Sequence, residues 1–257
     1  MFKTHDFNVP AAGEPAVIRL YCLPCAGGSA ELYRDWNGLL PEWIKVCPIE
    51  LPGRGRRFGE PLCDDAKTLA AKLIASTLTG VPDPFILFGH SMGALLAYEM
   101  AQQLQAAGTR QPALLILSSR EPPHCRSRVD PSRSQWPVGD FLKQVRRYGG
   151  LPQALEDSPE LLELFLPVLR NDFALLDRYC FEASAPLASP LFVVGGEEEP
   201  DFRLEQLQEW ERYSQCWIGA RCFKGGHFYL NEPAARQNLL GSIHQVVNTH
   251  CLHHLAW

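Results

Sequence analysis

Residues 85–93 read Phe-Ile-Leu-Phe-Gly-His-Ser-Met-Gly, an apolar run that breaks into Gly89-x-Ser91-x-Gly93 and passes straight into a helical stretch, Ala94 to Leu104. A strand, a tight turn and a helix in that order make a nucleophile elbow, which lifts a serine hydroxyl to the top of a sheet at the positive end of a helix. Small residues must flank such a turn on both sides, and Gly89 and Gly93 meet that need. A serine hydroxyl is a weak nucleophile until a base takes its proton. The elbow therefore predicts three further parts: a late histidine, an acid to orient it, and two amide donors for the oxyanion formed on attack.

Each part has candidates. The base is expected in a loop after the last strand, and Cys222-Phe223-Lys224-Gly225-Gly226-His227-Phe228 presents His227 just before a final helical pattern. His5, His124 and the tail histidines lie in the wrong places, and His90, inside the elbow, points away from the serine. The acid is expected after the strand Leu191–Val194, where the loop reads Gly195-Gly196-Glu197-Glu198-Glu199-Pro200-Asp201-Phe202. Position favours Glu199, then Asp201, then Glu198, with Glu121 a distant fourth. For the oxyanion, one donor is the amide after the nucleophile, Met92. The other comes from Pro24-Cys25-Ala26-Gly27-Gly28 after the first core strand, with Ala26 the best placed. That loop lacks the lysine of a phosphate-binding P-loop and forms no Gly-x-Gly-x-x-Gly.

The elements that must position these residues alternate. Apolar runs at Val17–Leu23, Ile44–Leu51, Phe85–Phe88, Ala113–Leu117, Leu191–Val194 and Ala220–Phe223 read as strands. Helical patterns fall at Glu31–Leu40, Asp64–Leu78 with Asp64 as cap, Ala94–Ala107, Leu204–Tyr213 and Pro233–Val247. Short, uniformly apolar strands separated by helices predict a mostly parallel sheet covered on both faces. Only residues 122–188 break the alternation: no strand is legible there, and helical patterns at Val138–Tyr148, Pro159–Leu169 and Asn171–Glu182 suggest a helical lid inserted into one domain spanning 1–257.

Composition narrows the classes. The chain has 257 residues, 46% hydrophobic and 21% charged, which is ordinary for a globular protein. A formal net charge of −5 gives no basic field for nucleic acid. No run is long enough for a bilayer span, and Met1–Ala16 lacks a basic start leading into an apolar segment, so a cytoplasmic protein is expected, with monomer as the default state. Nine cysteines, an odd number, fit reduced thiols. Cys22-x-x-Cys25 straddles a strand and a loop rather than opening a helix, which argues against a redox pair. No ligand set has zinc-site spacing, and no metal is expected.

Taken together, Leu23-Pro24-Cys25-Ala26-Gly27-Gly28-Ser29, Leu51-Pro52-Gly53-Arg54-Gly55-Arg56, Gly89-His90-Ser91-Met92-Gly93 and Gly225-Gly226-His227-Phe228-Tyr229 resemble the type II thioesterases, discrete α/β-hydrolases that accompany nonribosomal peptide and polyketide synthases. Leu166-Pro167-Val168-Leu169-Arg170-Asn171-Asp172-Phe173 fits the same likeness. The resemblance runs from about Val17 to Pro233. It implies an α/β-hydrolase fold with a lid and hydrolysis of acyl groups from the phosphopantetheine arm of acyl or peptidyl carrier proteins, clearing misprimed or stalled units without a cofactor. By position it implies Ser91 as nucleophile, His227 as base, and Ala26 and Met92 as oxyanion donors. The family's Gly-x-x-Asp-Pro is here Gly196-Glu197-Glu198-Glu199-Pro200, so the acid is Glu199 or, with a shifted loop, Asp201. Arg54, Arg56 and Arg57 form a basic cluster suited either to an acidic carrier protein or to plain solvation. Two other readings stand beside this one: a small-molecule carboxylesterase or acyltransferase with the same triad, and a binding-only relative with a broken one.

Overall fold

The structure, a computed structural model, describes residues 17–80, 84–128, 132–151, 153–200 and 203–251. The chain runs β1 (Ile18–Leu23), β2 (Ile44–Pro48), α1 (Ala66–Leu73), β3 (Phe85–His90), α2 (Met92–Ala106), β4 (Leu114–Ser118), α3 (Val138–Arg147), α4 (Gln153–Glu156), α5 (Pro159–Arg178), β5 (Leu187–Gly196), α6 (Leu204–Gln208), β6 (Ser214–Phe223) and α7 (Pro233–His250), with short tighter turns between. The strands form one six-stranded sheet in the order β2-β1-β3-β4-β5-β6. Every neighbouring pair is parallel. Parallel neighbours require crossovers, and the helices supply them on both faces.

The central strands explain the unbroken apolar runs. All residues of β3 and β4 are buried, so neither face has a polar side to show. Successive side chains still point to opposite faces. Phe85 and Leu87 enter the core shared with α1, α2 and the end of α5. Ile86 and Phe88 enter the core under α7 and the Ala30–Leu39 turns. Two differences from expectation lie in β5 and β6, each longer than its apolar centre at ten residues. Their outer halves carry a register irregularity and more exposed residues, which erases the apolar signal.

Helix starts differ in detail. Asp65, not Asp64, caps α1, accepting from the Thr68 amide at 2.7 Å, while Asp64 is paired with Arg178 of α5. Between β4 and β5 the described residues contain helices and turns and no strand. Within this insertion the expected helices Pro159–Leu169 and Asn171–Glu182 are one helix, α5, running through Pro167. The junction at Arg170 stays helical because its guanidinium reaches sideways to the carbonyls of Ser134 and Trp136 instead of capping an end. Among the described residues no helix is long and apolar enough to cross a membrane.

Candidate active site

The predicted site residues come from four different loops, and all four loops leave the carboxyl ends of strands, where ligands of open α/β sheets bind. Ser91 follows β3 directly and begins α2, with φ 56° and ψ −112°. Such a backbone is strained for any residue but glycine and persists only where its surroundings hold it. They do. The Ser91 amide donates to Ser118 O at 2.8 Å, and a side chain at either flanking glycine would collide with backbone. A Cβ on Gly89 would lie 2.0 Å from Gly93 O, and one on Gly93 would lie 2.2 Å from Leu23 O. The elbow is thus wedged between its own helix and the end of β1.

Opposite it, His227 Nδ1 lies 2.9 Å from Glu199 Oε2. A carboxylate only accepts, so Nδ1 carries the proton and Nε2 is left as the basic nitrogen. The pair is sheltered: the Glu199 side chain is 1% exposed and that of His227 10%. The two loops are locked together behind it. Glu197 and Glu198 amides donate to Phe223 O and Gly225 O at 2.8 and 2.9 Å. Glu198 itself points to solvent, which removes it as a partner, and Asp201 lies outside the described residues. Of the candidates whose placement is described, Glu199 alone meets the imidazole. Its extra methylene compared with aspartate is absorbed by burial, with Oε1 enclosed and unpartnered among the described residues.

Ser91, His227, Glu199 and Ala26 line one cleft, roofed by Val145, Tyr148 and Phe173 of the insertion. No hydrogen bond joins Ser91 to His227 among the described residues; such contacts are often long before substrate arrives. The Met92 amide is the first of α2, one of the four N–H groups a helix cannot satisfy internally, while its side chain is buried in the core. Ala26 sits in a turn closed by Gly28 N donating to Cys25 O at 3.0 Å. Gly27 has φ +71°, as the third residue of a type II turn requires.

Several expectations need correction or completion. Arg54, Arg56 and Arg57 are not a solvent-facing trio. Arg54 is buried against Asp172 of α5, at 2.5 and 2.7 Å. Arg57 is forked onto Glu60 at 2.8 and 2.6 Å. Arg56 alone of the three is exposed. His90 does turn from the serine, but it stays in the machinery's neighbourhood: its ring is 5.2 Å from that of His227, and its Nδ1 is 2.9 Å from Ser118 Oγ, which is 2.9 Å from Tyr229 Oη. Ser119 supports the base loop too, its hydroxyl 3.4 Å from the His227 carbonyl. Nothing in sequence spacing marks Ser118, Ser119 or Asp172; the Arg170-Asn171-Asp172-Phe173 string, part of the family likeness, is the one available signal. Cys22 and Cys25 are free and buried. Burial pushes the Cys25 thiol up to about 12, so it is not a nucleophile near neutrality. Away from the cleft, His124 is held between Tyr213 and Glu209, at 2.8 Å from each.

A thioesterase domain model matches residues 18–247. The chain is 33% identical to the thioesterase PikA5 of Streptomyces venezuelae over 84% of its own length and 77% of that protein's. It is 32% identical to LgrE of Brevibacillus parabrevis, a linear gramicidin dehydrogenase by name, over 94% and 92% of the two. The solved structure of YbtT, a type II thioesterase from the yersiniabactin nonribosomal peptide and polyketide pathway, superposes with a TM-score of 0.80 at 28% identity, covering 96% of this chain and 98% of that one. With its parallel sheet, elbow serine and buried histidine–carboxylate pair, the chain belongs to the thioesterase family as a serine hydrolase of the type II group found in nonribosomal peptide and polyketide pathways.

Proposed function

We propose that this enzyme hydrolyses acyl groups from the phosphopantetheine arm of carrier protein domains, freeing misprimed or stalled arms of a synthase. The observation that carries the reading is the sheltered His227–Glu199 pair presented to the same cleft as the strained Ser91. In this reading Ser91 Oγ attacks the thioester carbonyl as His227 Nε2 takes its proton. The tetrahedral oxyanion accepts from the Ala26 and Met92 amides, preorganised donors that strengthen as charge develops. The imidazolium, stabilised by Glu199, then protonates the departing pantetheine thiolate. Water enters, His227 removes its proton, and the acid leaves Ser91. Every step uses this chain's own side chains and amides; the pantetheine arm is part of the substrate, and the reading calls for no metal or dissociable cofactor.

The acidic partner is the member most open to test, because Asp201 is a neighbour in sequence. Ser91→Ala should abolish release of acyl groups from a loaded carrier protein with the fold retained; continued turnover would remove the nucleophile. Glu199→Gln should lower kcat by about 10³–10⁴-fold, the scale seen when a triad acid is neutralised in place. Asp201→Asn should leave kcat near wild type. The reverse result would transfer the acid's role to Asp201. A carboxylesterase reading would gain if simple oxygen esters were hydrolysed with higher kcat/KM than acyl-carrier thioesters.

A further inference from the structure

Two strings that carry no chemistry in the reading above, Pro52-Gly53-Arg54-Gly55 after β2 and Arg170-Asn171-Asp172-Phe173 in α5, meet each other at the oxyanion loop. Arg54 Nη1 and Nη2 donate to Asp172 Oδ2 and Oδ1 at 2.5 and 2.7 Å, a bidentate fork. Asp172 Oδ2 also accepts the Gly27 amide at 2.7 Å. Arg54 Nη1 reaches Gly28 O at 3.2 Å, the other end of the same turn. The pair is enclosed, with side chains 8% and 1% exposed. Helix α5 closes the arrangement sterically: a Cβ on Gly27 would stand 2.6 Å from Phe165 Cζ and 2.8 Å from Leu169 Cδ1.

The expense of this pair argues against a purely stabilising purpose. Two charges withdrawn from water regain their hydration only with excellent geometry, and apolar substitutes of similar volume often serve stability as well. What apolar residues could not do is accept the Gly27 N–H. That bond fixes the plane of the Ala26–Gly27 peptide, which together with the Cys25–Gly28 turn sets the backbone rotation of Ala26. We propose that Asp172, held by Arg54, is a positioning residue that aims the Ala26 amide into the oxyanion site. The inference rests on the reading of Ala26 as an oxyanion donor. Arg54 has a second part in it: it neutralises a carboxylate that would otherwise repel the developing oxyanion nearby.

The test compares wild type with Asp172→Asn, which keeps shape but loses the charge-assisted acceptor. Each preparation is titrated for active sites with a fluorophosphonate, so rates refer to competent enzyme only. On an acyl-carrier thioester, kcat should fall about 10–100-fold with KM within about twofold, less than outright removal of one donor. Affinity for an acyl trifluoromethyl ketone, whose hemiketal oxyanion must occupy the same site, should fall in parallel. Wild-type kcat per titrated site overturns the proposal, as does a loss of titratable sites with the remainder fully active, which would make the pair merely structural. If Asp172→Asn does not fold, Arg54→Met combined with Asp172→Leu, which leaves no charge unpaired, is read by the same criteria. Turnover by Ser91→Ala would instead defeat the underlying reading, whatever Asp172 does.

Discussion

The residue just before Ser91, His90, lies in a completely buried position within 5.2 Å of the His227 ring. Burial, reinforced by His227, holds its pKa well below the usual histidine value. The groups that face it are His227, Phe228, Tyr229 and Ser118, none of them a carboxylate that would favour a charge. Its Nε2 is buried without a partner among the described residues, which is least costly as an acceptor, so Nδ1–H donates to Ser118 Oγ. A neutral His90 matters for the reaction, since a second cation here would oppose the imidazolium on His227. It also has a consequence for stability whose sign is fixed. Below the unfolded value of about 6.5 the unfolded chain takes up a proton that the native chain refuses, so stability must fall as pH falls. Urea unfolding of wild type and His90→Asn at pH 7.5 and pH 5.0 isolates this contribution: the acid-induced loss should be smaller in the variant. Equal losses would mean that His90 protonates in place.

At the scale of elements, His227 and Glu199 are aligned by backbone against backbone. A Cβ on Gly196, the last residue of β5, would lie 2.2 Å from Gly226 O and 2.5 Å from Gly225 O. Gly196→Ala must therefore push the acid loop away from the loop that carries His227. A displacement near 1 Å in such a pair costs up to about 10²-fold in rate, while overpacking of this kind costs about 1–3 kcal/mol. The expected outcome is a folded protein with kcat much reduced; a wild-type kcat would show that the loops slide without separating His227 from Glu199. The glycines that make this fit possible were legible beforehand, because a tight turn leaves a glycine signature at fixed spacing. So were the strands β3 and β4, whose runs are apolar throughout, and the order of the loops that bring Ala26, Ser91, Glu199 and His227 to one cleft. The carboxylate that meets His227 was only half legible: four carboxylates in five positions look alike in sequence, and burial separates Glu199 from Glu198. The pairing of Arg54 with Asp172 could not be read from the two strings that carry them. They are 118 residues apart, and an exposed arginine loop reads the same as one whose guanidinium turns inward until the partner helix is in place. The break expected within α5 failed for a related reason, since long-range anchors at Arg170, Asn171 and Asp172 override local propensity.

For the molecule as a whole, these anchors divide the insertion into two mechanical parts. The second half of α5 belongs to the hydrolase core. Leu175 and Leu176 pack with α1 and α2. Asp172 is tied to Arg54 and to Gly27, Asn171 to the Cys63 carbonyl at 3.0 Å, and Arg178 to Asp64. By contrast, Phe141 and Val145 of α3 join only a small separate cluster with Leu169 and Phe173. Opening free energy follows the buried contacts a segment must give up. A lid that swung as one body, residues 122–188 together, would carry the Arg133–Asp177 pair with it but would have to break the Arg54–Asp172 pair and the Gly27–Asp172 bond, releasing the loop that carries Ala26. Access to the cleft is then expected through α3 and α4, with α5 staying in place as the fixed wall. Native-state hydrogen exchange distinguishes the two cases. Amides of Leu169–Arg178 should exchange with the slowest class, alongside β3 and β4, and those of α3 should open at lower free energy. Exchange of α3 and the second half of α5 at one common, faster rate would make the insertion a single moving unit, and the oxyanion loop would then be assembled only on closure.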